Sequence, residues 1–170
     1  MNVVNSIAAN DVITKVTIVR KGVLAKKFDA PKVFADYFNN KSEDQKKVAS
    51  VITAKKAYLA ATKATATTTP SGLAYKIIQK GTGVKPANGT TFYFHYAGYF
   101  EDGTLFDSSY EEVCKNYGKF DVNRAAQNGY QAFPFEAGKK DGMIPGFIEG
   151  LENMSFGDKA VVFIPSNLAY

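Results

Sequence analysis

The stretch TTFYFHYAGYFEDG, residues 90–103, constrains the fold of this chain more than any other. Phe92, Phe94 and Tyr96 recur at period two among β-branched and aromatic residues, which makes the segment a strand with one face of rings. The EDG at 101–103 then reads as a tight hairpin turn that sends the chain back antiparallel to itself. A strand with one apolar face must be covered, and the downstream sequence supplies the cover. FPFEAG reads as a further strand, IPGFIEGLENM as a short helix, FGD as a turn and KAVVFIPS as a closing strand, while LAYKII and the glycine-punctuated GTGVKPANG precede the ring stretch. Residues 72–170 therefore read as α+β, an antiparallel sheet wrapped on one short helix.

The front of the chain follows different periods. VITKVTIVRKG alternates β-branched residues over 12–20 and reads as a strand with no partner in its neighbourhood. FDAPKVFADYFNN offers Asp29 as an N-cap and Pro31 in the first turn, with Val33, Phe34, Tyr37 and Phe38 as an apolar stripe. Ser42 and Gln45 form a capping box, and the nine residues Asn39 to Lys47 include no apolar side chain. Two helices are expected, near 30–39 and 43–62, with a break at 40–42. The second carries the stripe Val48, Val51, Ile52, Tyr58 and Leu59. ATKATATTTPSG loses all periodicity and suits a linker. The expected plan is a strand segment over 1–28, a helical spacer over 29–64, a linker over 65–71 and the α+β domain over 72–170.

Charge and composition exclude several functions. The net charge of +5 comes from dispersed lysines with only two arginines, Arg20 and Arg124, so no arginine stripe tracks a nucleic acid backbone. One cysteine, Cys114, and one histidine, His95, provide no cluster for zinc. No apolar run approaches the roughly twenty residues that span a bilayer. His95 lies on the opposite strand face from Tyr96, and no second acid or nucleophile accompanies it. Asp107, taken alone, reads as a turn residue, and the alternating Phe92, Phe94, Phe133 and Phe163 read as sheet core.

FHYAGYFEDGTLFDSS, PFEAG and MIPGFIEGLENMSFGDKAVVFIPSNLAY occur in that order over nearly all of 72–170. Together they resemble the FKBP family of peptidyl-prolyl cis-trans isomerases. The resemblance implies a pocket lined by Tyr96, Phe106, Asp107, Phe135, Met143, Ile144, Phe147 and Tyr170, with Phe133 and Ala169 beside it. It also implies isomerase activity without a cofactor: the Ile144 N–H and the Tyr170 hydroxyl hold carbonyls flanking proline, Phe147 forms the floor, and Asp107 orients. The family commonly has tryptophan at that floor, and this chain contains none. The stretch from Tyr110 to Ala132 is longer than the family's usual connection, and reads either as a client-binding lip or as a surface insertion.

The partners implied are proline-containing unfolded or nascent polypeptides, and by analogy a secretion or assembly complex of the cell envelope, in the periplasm. A rival class is a non-catalytic chaperone or docking module that uses the same pocket. Residues 1–28 are also similar to the closing strand of a cyclophilin-type domain, and the family pattern continues beyond Tyr170. Both features imply that the 170 residues belong to a longer protein, with the isomerase domain incomplete at its C-terminal end.

Overall fold

The computed structural model describes residues 8–169 and divides the chain into two compact units, one reaching Ser42 and the other beginning at Glu43. In the first unit, residues 11–21 form neither helix nor strand. The strand expected over 12–20 is not formed, because no described strand lies beside it to take up its backbone hydrogen bonds. Val12, Ile13, Val16, Ile18 and Val19 are all exposed. A five-residue helix, α1 (Val23–Lys27), follows, which the sequence pattern did not suggest. Asp29 then caps the next helix as expected, its carboxylate accepting the Lys32 N–H at 3.1 Å.

That helix, α2 (Ala30–Lys63), runs for 34 residues without interruption. The break expected at 40–42 is absent. Lys, Glu and Gln are good helix formers, and the apolar-free segment is laced by Glu43–Lys46 at 3.3 Å and Asp44–Lys47 at 3.4 Å. Stopping the helix at Ser42 would leave four carbonyls and four N–H groups to be satisfied anew, which a single capping box does not offset.

In the second unit the inward face of α2 is Val48, Val51, Ile52, Lys55, Leu59 and Thr62. Tyr58, expected on that stripe, is 41% exposed. Lys55 takes its place, laying its ammonium 4.4 Å from the centre of the Tyr99 ring. Val51 and Ile52 pack on a core of Leu105, Cys114 and Tyr117, joined by Tyr99, Val113 and Tyr130. The EDG hairpin turn docks on the same helix. A Cβ on Gly103 would lie 2.4 Å from the Ile52 carbonyl oxygen, and its φ of +88° already demands glycine.

The strands form three antiparallel groups. β1 (Thr67–Thr68), β2 (Ala74–Gln79) and β7 (Lys159–Phe163) lie in that order. β3 (Thr91–Phe94) pairs with β6 (Phe133–Glu136), and β4 (Ala97–Tyr99) pairs with β5 (Leu105–Ser108) across the expected hairpin. Between β5 and β6 stand two short helices, α3 (Glu111–Asn116) and α4 (Val122–Ala126). The helix expected in IPGFIEGLENM is α5 (Pro145–Glu152), and it buries Ile148. Its approach to the closing segment is close: a Cβ on Gly146 would meet Ile164 Cγ2 at 2.4 Å, and one on Gly150 would meet Val162 Cγ1 at 3.0 Å. The α+β architecture read from the sequence is thus the one the chain adopts.

Candidate active site

The register of β3 against β6 sets Phe92 opposite Phe135 and Phe94 opposite Phe133, so the period-two rings of both strands share one face. α5 lays Phe147 against that face. The Phe147 ring centre is 5.3 Å from that of Phe94 and 6.2 Å from that of Tyr96, and Phe133 stands 5.6 Å from Tyr96. Phe94, Tyr96, Phe133 and Phe147 therefore form a cradle of rings in stacked, edge and tilted contacts, arrangements favoured by the ring quadrupole.

The acid arrives by a backbone device. Ser108 and Ser109 are buried to 0% and 1% exposure. The Ser109 hydroxyl accepts the Tyr96 N–H at 2.8 Å, and the Ser109 N–H donates to the Tyr96 carbonyl at 3.0 Å. The Ser108 hydroxyl donates to the same carbonyl at 3.0 Å. The two serines of FDSS thus fasten β5 to the residue whose phenol the acid must meet, and the Tyr96 hydroxyl donates to Asp107 Oδ2.

The other carboxylate oxygen accepts from Arg124 Nη1 at 2.7 Å, in a pair whose side chains are 26% and 36% exposed. Partial burial pushes the Asp107 carboxyl up. Hydrogen bonds from Tyr96 and Arg124, with the guanidinium charge, outweigh it and hold the carboxyl below its usual range. Burial, followed by the Asp107 carboxylate, pushes the Tyr96 phenol up to about 12, against an opposing pull from Arg124. At neutral pH the line is a neutral phenol, a carboxylate and a guanidinium. No nucleophile stands in it, so it orients groups and fixes charge rather than transferring protons.

A family model described as FKBP-type peptidyl-prolyl cis-trans isomerase matches residues 82–170. The chain belongs to the FKBP family. The chain is 35% identical over 135 residues to the outer membrane protein MIP of Legionella longbeachae, covering 78% of this chain and 47% of that protein. It is 37% identical over 103 residues to the probable FKBP-type isomerase FkpA of Neisseria meningitidis serogroup B, covering 61% of this chain and 30% of that protein. The crystal structure of AtFKBP13 aligns at 30% identity with a TM-score of 0.47, covering 62% of this chain and 74% of that one. The chain spans less than half the length of these curated relatives.

Of the residues that the FKBP resemblance implied, Tyr96, Asp107, Phe133 and Phe147 come together. Phe135 stands at the far end of the ring face, edge-on to Phe92 at 5.9 Å, where both line a cavity of about 220 Å³ with Leu151 and Met154. Phe106 does not join the cradle: its ring is 65% exposed and rests on Phe100 at 6.0 Å and against Gly98, because the alternation of β5 points it away from Asp107. Met143 and Ile144 lead into α5, and Ile144 caps it, its carbonyl accepting the Phe147 N–H at 3.0 Å. The Ile144 N–H itself has no partner among the described residues. Ala169 ends a 3-10 turn (Ser166–Leu168), and Tyr170 lies outside the described residues.

Two members escaped the sequence reading. Phe94 was placed in the core by its alternation, which does not distinguish a buried face from a pocket floor. Arg124 belongs to the long insertion, 17 residues beyond Asp107, and no local pattern joins them.

Proposed function

We propose that this chain is a peptidyl-prolyl cis-trans isomerase acting on proline-containing polypeptides. The observation that carries the reading is the Tyr96–Asp107–Arg124 line at the edge of the ring cradle, polar and charge-fixed but without a nucleophile. An X-Pro amide resists rotation by about 18–20 kcal/mol because resonance keeps it planar. Its rotation breaks no bond. A site accelerates it by preferring the twisted amide to the planar one. A cradle of Phe94, Phe133 and Phe147 strips water from the amide, and the planar, more polar form loses more by that than the twisted form. Phe147 takes the pyrrolidine ring as floor, in place of a larger tryptophan. The Ile144 N–H, without a partner among the described residues, receives a flanking carbonyl, and the Tyr170 hydroxyl a second.

In the same reading, residues 72–170 are the isomerase domain and α2 is a spacer whose second half is built into it. The clients are unfolded or nascent chains met in the cell envelope, in keeping with a relative named as an outer membrane protein. No described helix is long and apolar enough to cross a membrane. A protease-coupled assay on a proline tetrapeptide tests the activity. Turnover well above the uncatalysed rate is expected, and background turnover beside strong suppression of client aggregation would sink the proposal in favour of a holding chaperone.

A further inference from the structure

The insertion between β5 and β6 meets Asp107 through Arg124, and three contacts fix that residue. Asp121 caps α4, accepting the N–H groups of Asn123 at 2.8 Å and Arg124 at 3.1 Å, which sets where the arginine leaves the backbone. The Gly129 carbonyl accepts from Arg124 Nε at 3.0 Å. The Tyr130 ring lies under the guanidinium, 4.6 Å from its central carbon, while the Tyr130 hydroxyl accepts the Asp121 N–H at 2.9 Å. Tyr130 is in turn packed on the Leu105, Cys114 and Tyr117 core. Its ring also stacks on Phe120 at 5.8 Å.

A flexible side chain held at its backbone, its Nε and its face has few other places to put Nη1, which here meets Asp107 at 2.7 Å. We infer that Tyr130 is a positioning residue for the isomerisation: with Gly129, it clamps Arg124 on Asp107 and so sets the carboxylate that orients the Tyr96 phenol. The insertion is then a built part of the active site rather than a client-binding lip. Gly129 is the independent sign of this. A Cβ there would lie 2.5 Å from Arg124 Cγ and 3.0 Å from the Arg124 carbonyl oxygen, so only glycine lets the arginine pass. The inference rests on the isomerase reading of the site.

The test compares kcat/KM of the full chain for the wild type, Tyr130→Leu, Tyr130→Phe, Gly129→Ala, Arg124→Gln and the Tyr130→Leu/Arg124→Gln double variant, with an NMR titration of the Asp107 carboxyl in each. Tyr130→Leu is expected to lose about two- to fivefold, the worth of one cation–π contact, and Tyr130→Phe less because it keeps the ring. In the Arg124→Gln background the Tyr130→Leu loss disappears, since the clamp has nothing left to hold. The Asp107 carboxyl titrates nearer the ordinary carboxylate value in both Tyr130→Leu and Gly129→Ala. Equal losses from Tyr130→Leu in both backgrounds, with the Asp107 titration unmoved, would overturn the inference and leave Tyr130 a core residue only. Should Tyr130→Leu not fold, Gly129→Ala, which leaves the core contacts of Tyr130 in place, decides by the same titration. An inactive wild type refutes the isomerase reading, while the titrations still judge the clamp.

Discussion

Replacing Phe147 by alanine is the sharpest perturbation of the cradle. The ring touches Phe94 at 5.3 Å and Tyr96 at 6.2 Å, and it is the side chain that α5 projects onto the ring face. Its removal acts on two quantities. Each lost aromatic pair costs about 0.5–1.5 kcal/mol of stability. Two pairs and a partial cavity, in a ring that is only half-buried, give roughly 2–3 kcal/mol, at the low end of Phe→Ala losses. For a two-state unit of this size that lowers Tm by about 4–12 °C.

The kinetic loss from Phe147→Ala is of similar size. The proline ring loses its floor, and the contact of one apolar side chain is worth about 1.5–3 kcal/mol, or roughly 10- to 150-fold in kcat/KM. Phe147→Leu keeps the apolar volume and is expected to fall in between. Circular dichroism melting followed by the coupled assay well below Tm separates the two effects. A folded Phe147→Ala protein with activity equal to wild type would refute the cradle as the catalytic surface.

The remaining predictions concern the rim, the far end of the ring face, and the scaffold. Because the Asp107 carboxyl is held low and the Tyr96 phenol is raised to about 12, neither changes charge between about pH 6 and 8, and kcat/KM should be nearly flat there. A steep bell in that range would count against the mechanism. Since the folded Asp107 value is depressed, its stabilisation is complete above the unfolded value of about 3.9 and is lost as pH falls through the lower folded value, which acid melts would show. Phe133→Ala should reduce kcat/KM more than Phe135→Ala, since Phe133 meets Tyr96 whereas Phe135 meets Phe92. The reverse order would move the cradle towards the cavity below Phe135. Gly103→Ala forces a positive φ on a residue with a Cβ and drives that atom into the α2 backbone, so chemical denaturation should show a loss of at least about 1–2 kcal/mol. Unchanged stability would mean that the hairpin turn does not dock on the helix.

Alternation legibly marked the ring face, because burying every second residue is what gives a strand its period. The turn at 101–103 and the helix at 145–152 were legible for similar reasons: glycine where φ is positive, and proline at the first turn. Where a segment had two outlets, the sequence alone misled. The Ser42 capping box was a sound local start signal, but an uninterrupted helix needs no cap, and the surrounding lysines and glutamates propagate well. The alternation over 12–20 was likewise sound, yet a strand exists only through its partner. At Tyr58 and Lys55 the helical period allowed either side chain to face inward. The Tyr99 ring selected the lysine, whose ammonium lies over it.

The candidate site divides along the same line. Tyr96 and Asp107 were legible through the FKBP resemblance, and the structure supplies the physical basis: two buried serine hydroxyls tie the acid's strand to the tyrosine's backbone, so the pair is nearly a local object despite ten intervening residues. Arg124 has no such tie. It reaches Asp107 through a helix cap at 121, a carbonyl at 129 and a ring at 130, and that ring is held by a core that also includes Val51 and Ile52 of α2. An isolated exposed ion pair of two flexible side chains is worth little, about 0–1 kcal/mol. It becomes a fixed feature of the site only because packing elsewhere has already removed the arginine's freedom. The charge at the rim is therefore set by the hydrophobic core behind the insertion. A substitution such as Ile52→Ala, far from the rings, should loosen the Arg124 contact as well as the fold, visible as a rise in the Asp107 carboxyl pKa at temperatures where the protein remains folded. An Asp107 titration unchanged in such a variant would show that the insertion holds Arg124 without help from α2.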